Sequence, residues 1–293
     1  MHCGFFCRCY FFYTFVKNFG QILIKPMLYN TLKFKGKTIN YRVEGRGEKT
    51  LVLLHGYMNS LQVWDKFFKA YKDEDIVLVA IDLIGHGESE VVEEVSSMEL
   101  QADMIKQVLD ELGIRDCVMI GHSMGGMITL SFAEQYPNYI KGFCLLHSTA
   151  CEDNPKGKEN RKRACKIINE NKLNFIVDFI PNLFAEKNVE KYSEEIKWLK
   201  ELSASTKKEG IVAAQMGMII RKDRNFVLEQ TKVPVLFVIG RQDIRADLSV
   251  MLPQACLPRN SEVMILDCGH MSFIEEEKII ENRFLSFVER CYL

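Results

Sequence analysis

The stretch CVMIGHSMGG, residues 117–126, places a Gly-x-Ser-x-Gly pattern directly after a short apolar run. Cys117–Ile120 is typical of a buried strand, and a helical pattern continues after Ser123 to about Tyr136, where Pro137 ends it. A sharp turn from strand to helix crowds the backbone, and glycines on both sides of the serine make room for it. This context predicts that the Ser123 hydroxyl stands above the end of a strand as a nucleophile.

Similar apolar runs alternate with helical patterns along the chain. The predicted strands are Leu51–Leu54, Ile76–Ile81, Cys117–Ile120, Phe143–Leu146, Val235–Ile239 and Val263–Leu266. Their nearly continuous apolarity is typical of parallel strands covered on both faces. Residues 32–43 predict a preceding β-hairpin, and Ser96 with Glu99 predicts a capping box for a helix that ends at Gly113. We therefore expect a three-layer α/β fold with a mostly parallel sheet.

Between about Thr149 and Arg221 the helical patterns continue without strands. We expect a core formed by residues 27–148 and 222–293 and a helical cap over residues 149–221. Phe175, Phe179, Trp198 and Met216 are candidates for an apolar underside of this cap that faces the substrate. Simple packing of cap on core explains these residues equally well.

The composition argues against several classes of function. A formal net charge of −1 over 293 residues gives no reason to expect a nucleic-acid partner. Several of the ten cysteines stand in or beside apolar runs, as buried free thiols do, and the cluster Cys3, Cys7, Cys9 has no histidine at zinc-finger spacing. We expect no metal, and a reducing, cytoplasmic compartment.

Residues 1–26 match no element of this pattern. The aromatic segment from Phe5 to Val16 is interrupted by Arg8 and is shorter than the about 20 residues of a membrane span. We expect a disordered extension ahead of a natural start at Met27. A membrane anchor and a removed secretion signal are the alternatives.

A serine nucleophile needs a base and an acid that orients the base. His270 follows the predicted strand Val263–Leu266, so it is expected at the same sheet edge as Ser123. Asp243 follows Val235–Ile239 by a short loop and is the preferred acid. The rivals are Asp267, which is too close to His270 along the chain, and Asp247, which is expected inside the next helix. Among the other histidines, His147 at a strand end is a candidate for lining the pocket or for packing.

The developing oxyanion needs hydrogen-bond donors as well. The loop after Leu51–Leu54 reads HGYMNS, residues 55–60. We expect the backbone N–H groups of Tyr57 and of Met124, the residue after the nucleophile, to form the oxyanion hole.

Together these motifs resemble the α/β-hydrolases. The likeness rests on His55-Gly56, on residues 82–89 (DLIGHGES), on residues 121–126, on Gly240 to Asp243 and on Gly269-His270. Within that family the chain is most similar to capped carboxylesterases, including those that cleave pimeloyl-carrier methyl esters. Epoxide hydrolases and dehalogenases share the architecture but carry an aspartate where this chain has Ser123. The resemblance implies a triad that needs no cofactor.

The sequence predicts a serine hydrolase that cleaves a small or medium carboxylic ester through an acyl-enzyme. A C–C bond or lactone hydrolase with the same triad, and a non-catalytic ligand-binding protein on the same fold, remain as alternatives. The basic segment from Lys156 to Lys172 is either a solvated face or a recognition site for a carrier-linked substrate.

Overall fold

The computed structural model describes residues 29–293. The prediction of a disordered extension over residues 1–26 therefore lies outside the described residues. Within residues 29–293 no helix is both long and apolar enough to cross a membrane.

The centre of the molecule is a sheet of eight strands. Its strands are β1 (Tyr29–Phe34), β2 (Lys37–Gly45), β3 (Lys49–Leu54), β4 (Ile76–Ile81), β5 (Cys117–His122), β6 (Ile140–Leu146), β7 (Val235–Gly240) and β8 (Ser261–Leu266). They lie in the order β1-β2-β4-β3-β5-β6-β7-β8. Strand β2 pairs antiparallel with β1 and β4, and every other pairing is parallel. The predicted mostly parallel α/β fold, with its N-terminal hairpin, is confirmed.

The described chain also contains ten α-helices, which lie between and after the strands. They are α1 (Asp65–Ala70), α2 (Met98–Glu111), α3 (Met124–Gln135), α4 (Pro155–Phe179), α5 (Ser193–Ser205), α6 (Lys208–Ile220), α7 (Asn225–Gln230), α8 (Leu248–Gln254), α9 (Ser272–Glu275) and α10 (Glu277–Cys291). Helices α4, α5 and α6 follow one another between β6 and β7. Helix α4 is broken at Asn171, close to where its basic half gives way to its apolar half.

Two helix starts differ from the sequence prediction by one residue. The N-cap of α2 is Ser97, whose Oγ accepts from the N–H of Leu100, while Ser96 accepts a hydrogen bond from the Gln101 side chain. Either serine satisfies the capping pattern, and the buried contact with Gln101 decides between them. Asp247 caps α8 instead of lying inside it.

Helix α6 packs closely against the loop that follows β4. A Cβ added to Gly210 would lie 1.9 Å from the carbonyl oxygen of Gly85, and one added to Gly217 would lie 1.8 Å from that of Ser96. Both glycines therefore let helix and loop backbones touch, seven residues apart on one face of α6. Because this loop is anchored at the end of β4, the contact fixes α6 against the sheet.

We expect Gly210→Ala to destabilise the protein by about 1–3 kcal/mol, because the new methyl meets backbone that cannot step aside. Its gain in helix propensity, at most about 1 kcal/mol, opposes this cost without cancelling it. Gly157→Ala in α4 is the matched control, since its added Cβ meets side-chain atoms instead of backbone, those of Asp153 at 3.1 Å and of Asn154 at 3.5 Å. Denaturant unfolding of both variants checks the prediction, and equal midpoints would contradict it.

Candidate active site

Ser123 lies in the turn between β5 and α3 with a strained backbone. Its φ of 53° and ψ of −114° are unusual for a residue with a side chain. A Cβ at Gly121 would lie 2.4 Å from the backbone of Gly125, and one at Gly125 would lie 2.5 Å from the carbonyl oxygen of Leu54. Glycine is thus required on both sides of the serine. The turn has the geometry that the sequence pattern predicts.

The structure brings His270 and Asp243 together. Nδ1 of His270 donates to Oδ2 of Asp243 over 2.7 Å, and both side chains are buried. Oδ1 of the same carboxylate accepts from the backbone N–H groups of Arg245 at 2.7 Å and Ala246 at 3.0 Å. Burial disfavours the ionised carboxyl group, but the interactions with His270 and His147 outweigh it and hold the pKa of Asp243 well below its ordinary value. Asp243 is therefore a carboxylate that fixes the His270 tautomer.

The two rival acids lie elsewhere. The Asp267 side chain is 62% exposed and pairs with Lys187 and Gln242. Asp247 accepts from the N–H and hydroxyl of Ser249 at the start of α8. Neither makes a hydrogen bond to His270 among the described residues.

Ser123 and His270 line the same cavity, which has a volume of about 810 Å³. It opens where the carboxyl ends of β3, β5, β6 and β7 meet helix α4. Of the aromatic and methionine side chains expected to face substrate, Phe175 and Phe179 line this cavity and stack on each other. Trp198 is 37% exposed on α5 and Met216 is half-buried on α6, and neither is part of the cavity wall. The sequence could not separate the inner from the outer apolar residues of these helices.

His147 contacts the catalytic candidates in a way that the sequence did not predict. Its Nδ1 donates to Oδ2 of Asp243 at 3.0 Å, so that oxygen accepts from two imidazoles. Its Nε2 lies 2.7 Å from Oγ of Ser272. Burial lowers the pKa of His147, and the neutral ring then accepts the Ser272 proton at Nε2. The only signal in the sequence was its position at the end of a strand.

The remaining described histidines support the backbone. His122 Nε2 donates to the carbonyl oxygen of His270 at 2.9 Å, which ties the loop of His270 to the turn of Ser123. His55 Nε2 accepts from the N–H of Leu83, and His86 Nδ1 lies 3.2 Å from the carbonyl oxygen of Ile84. Burial lowers the pKa of all three, so they are neutral.

Two observations bear on the expected oxyanion donors, Met124 and Tyr57. Met124 is the first residue of α3, so its N–H has no acceptor within the helix. A Cβ on Gly56 would lie 3.3 Å from Cβ of Ser123, which places the backbone of the loop before Tyr57 against the serine. Met58, the residue after Tyr57, has a φ of 63° and is another strained position, in the loop after β3.

His147, Asp243 and His270 also present ligand atoms that lie within 4.8 Å of one another. A cation held there would displace the protons that both rings donate to Asp243. The hydrogen bonds already account for this arrangement, and we assign no metal to it.

Comparison with known proteins supports the fold. Residues 49–187 match the sequence family described as alpha/beta hydrolase fold. The chain is 26% identical over 274 residues to a 2-hydroxy-6-oxononadienedioate/2-hydroxy-6-oxononatrienedioate hydrolase of Paraburkholderia phymatum, covering 85% of this chain and 90% of that protein. It is 24% identical over 249 residues to a pimeloyl-[acyl-carrier protein] methyl ester esterase of Wigglesworthia glossinidia brevipalpis, covering 81% and 93%.

Among solved structures, a thermophilic esterase from Thermogutta terrifontis superposes with a TM-score of 0.84 at 26% identity. The match covers 91% of this chain and all of the esterase. Sheet order, family match and relatives together show that this chain has the α/β-hydrolase fold.

Proposed function

We propose that the protein is a serine hydrolase that cleaves small or medium carboxylic esters through an acyl-enzyme. The observation that carries this proposal is the hydrogen bond between His270 and Asp243 beside the cavity that the strained Ser123 also lines. A nucleophile, a base and an orienting carboxylate at one sheet edge are the parts that acyl transfer needs.

In this mechanism Ser123 Oγ attacks the ester carbonyl while Nε2 of His270 takes its proton. Asp243 keeps the proton of His270 on Nδ1 and stabilises the imidazolium that forms. The N–H groups of Tyr57 and Met124 receive the oxyanion, each such donor being worth about 3 kcal/mol. The alcohol leaves with the proton from His270, and water then hydrolyses the acyl-enzyme by the same steps.

His147 is a positioning residue in this proposal. It holds Asp243 from the β6 side and does not touch the reacting atoms. The Asp243 carboxylate accepts four hydrogen bonds in all, two from imidazoles and two from backbone N–H groups. These bonds fix both its position and its charge in a buried site.

Cleavage of a C–C bond is the second candidate. It is favoured by the similarity, over most of the chain, to the oxononadienedioate hydrolase. The same three residues would serve both reactions. Assaying one preparation with an ester and with a vinylogous diketone separates the two functions by which substrate is turned over.

We also place the protein in a reducing compartment, the cytoplasm. All seven cysteines of the described chain are free. A carrier-linked acyl group is a further candidate substrate, supported by the exposed cations on the basic half of α4 and by the similarity to the pimeloyl-carrier esterase.

Ser123→Ala should abolish ester turnover, by up to about 10⁶ in kcat, and should also abolish labelling by a fluorophosphonate probe. The fold should persist, because alanine only removes the hydroxyl. Circular dichroism and thermal unfolding serve as controls. More than a few per cent of residual activity, or labelling at another residue, would refute Ser123 as nucleophile.

Asp243→Asn should lower kcat by roughly 10⁴, because an amide can stabilise the wrong tautomer of His270. Asp267→Asn is the matched control: the same change three residues from His270, at an exposed carboxylate. The control should keep wild-type kcat/KM. If Asp267→Asn were the damaging change, the assignment of the acid would be wrong.

His147→Leu should lower kcat roughly tenfold to a hundredfold, the effect of one lost hydrogen bond to a buried charge. The acidic limb of the kcat/KM profile should move to higher pH, because Asp243 no longer shares its charge with the His147 N–H and holds an imidazolium more strongly.

The matched variant is His147→Asn, which restores an N–H donor and tolerates the φ of 52° at this position. It should recover most of kcat and the wild-type acidic limb. Equal pH profiles for the Leu and Asn variants would show that His147 only packs.

A further inference from the structure

The cavity beside Ser123 carries more positive than negative charge. Four cations line it, Lys156, Arg161, Arg163 and Arg245, against two carboxylates, Asp153 and Asp178. A neutral ester gives no reason for such an excess at its binding site.

Asp153 does not neutralise the charge of Arg161, because it is shared between two arginines. Its carboxylate pairs with Arg161 through one oxygen and with Arg221 through the other, at 2.8 Å. Two guanidinium groups and one carboxylate leave one positive charge. Arg161 is also held in place by the side-chain oxygen of Gln215 at 3.1 Å, so its charge is fixed beside the cavity.

Arg245 makes no ion pair with an acid in the described structure, and the negative charge that acts on it is that of Asp243, two residues away. Among residues 29–293 no carboxylate lies within 4.0 Å of its guanidinium nitrogens. Its guanidinium carbon stands 4.5 Å from the centroid of the Phe179 ring, which faces the same cavity. Although the residue is exposed, partial burial of the guanidinium lowers its pKa; the charge of Asp243 opposes this shift and the like charge of Arg161 adds to it. An anion near Arg245 would compensate for its partial desolvation and for the repulsion from Arg161.

Tyr57 adds an unused hydrogen-bond donor. Its side chain is 7% exposed and lines the cavity, and its hydroxyl makes no hydrogen bond of normal geometry within the described residues. The Gln215 side chain is the polar group close enough to lower the pKa of the hydroxyl, and its oxygen already accepts from Arg161. The ring makes an edge contact with Phe179, at 5.9 Å between centroids, and so lies next to the aromatic on which Arg245 stacks. Burial raises the pKa of the hydroxyl, so it keeps its proton. A buried donor without an acceptor is costly unless a ligand supplies one.

We propose that Arg245 and the Tyr57 hydroxyl, with the fixed charge of Arg161 behind them, form a subsite for a carboxylate at the far end of the substrate. This inference rests on the proposed esterase function and narrows it to half-esters of dicarboxylic acids. The cavity has room for such a chain between Ser123 and the arginines, and Phe175 and Phe179 cover its methylene groups.

A carboxylate suits these donors better than a phosphate does. One planar guanidinium and one hydroxyl match the two oxygens of a carboxylate. A phosphate monoester would call for additional donors around its third oxygen.

The test compares two series of esters that differ only in charge. Methyl half-esters of adipic, suberic and sebacic acid are paired with the same esters in which a carboxamide replaces the free carboxylate. The wild-type protein should prefer the charged partner by about tenfold or more in kcat/KM at the best chain length. Higher salt should reduce the preference, since the site opens to solvent.

The ratio of kcat/KM for the charged ester to that for the neutral ester should fall close to one in Arg245→Gln. It should fall part of the way in Arg245→Lys, and it should fall severalfold from the wild-type value in Tyr57→Phe. Each ratio is taken within one variant, so a general effect of the substitution on Asp243 or His270 cancels. Arg241→Gln is the matched control, because it removes an exposed cation of the same loop that does not line the cavity. It should keep the wild-type ratio.

Binding without turnover separates this proposal from the esterase function. Calorimetry with adipate, adipamide and butyl phosphate on the full chain should show adipate binding most tightly and Arg245→Gln losing that binding. If no ester is cleaved but adipate binds through Arg245, the esterase proposal fails and the subsite stands.

If neutral esters are cleaved as well as charged ones and adipate does not bind, the subsite is refuted and the esterase stands. Tightest binding of butyl phosphate would refute the assignment to a carboxylate.

Discussion

The close approach of backbones around Ser123 is the constraint on which the rest of the structure depends. Gly121 and Gly125 allow β5 to turn into α3 within a few residues, directly beneath the end of β3. That turn costs of order 1–3 kcal/mol in strain at Ser123, which the fully buried strands on both sides offset through packing. It places Ser123 directly before α3, whose first N–H groups have no acceptor within the helix. Three of the four non-glycine residues with positive φ in the described chain, Met58, Ser123 and His147, stand at this one edge.

Asp243 is the electrostatic counterpart of that turn. A buried carboxylate is costly by itself, and here four hydrogen bonds make it the stable form. They come from three places in the chain: the end of β6, the loop after β7 and the loop after β8. The same bonds therefore hold three strand ends in register and hold His270 in one tautomer. The four hydrogen bonds to Asp243 thus contribute both to the stability of the fold and to the proposed chemistry.

Much of this could be predicted from the sequence, because it depends on local rules. Continuous apolar runs predicted the strands β3 to β8, and of these all but β8 are largely buried; β8 lies at the edge of the sheet and is only half-buried. Glycine spacing predicted the turn at Ser123, and parallel strands predicted Asp243 and His270 at the same sheet edge. What the sequence did not give depends on which way side chains point after folding. In the sequence, His147 was distinguished only by its place at the end of a strand, and its contact with Asp243 depends on the pairing of β6 with β7. Trp198 and Phe179 belong to similar apolar patterns, but only Phe179 lines the cavity. The choice between Ser96 and Ser97 as helix cap was likewise decided by a tertiary contact.

The loop after β7 links the proposed orienting carboxylate to the proposed anion subsite. The backbone N–H of Arg245 supports Oδ1 of Asp243, while its side chain extends along Phe179 into the cavity. A substrate anion that draws the Arg245 side chain toward itself therefore acts on a residue whose backbone helps to hold the orienting carboxylate. Neutralising that cation also strengthens the field of Asp243 at His270, because a positive charge nearby no longer opposes it. In the proposed mechanism, an anion in the proposed subsite would therefore also favour the imidazolium that forms when Ser123 attacks.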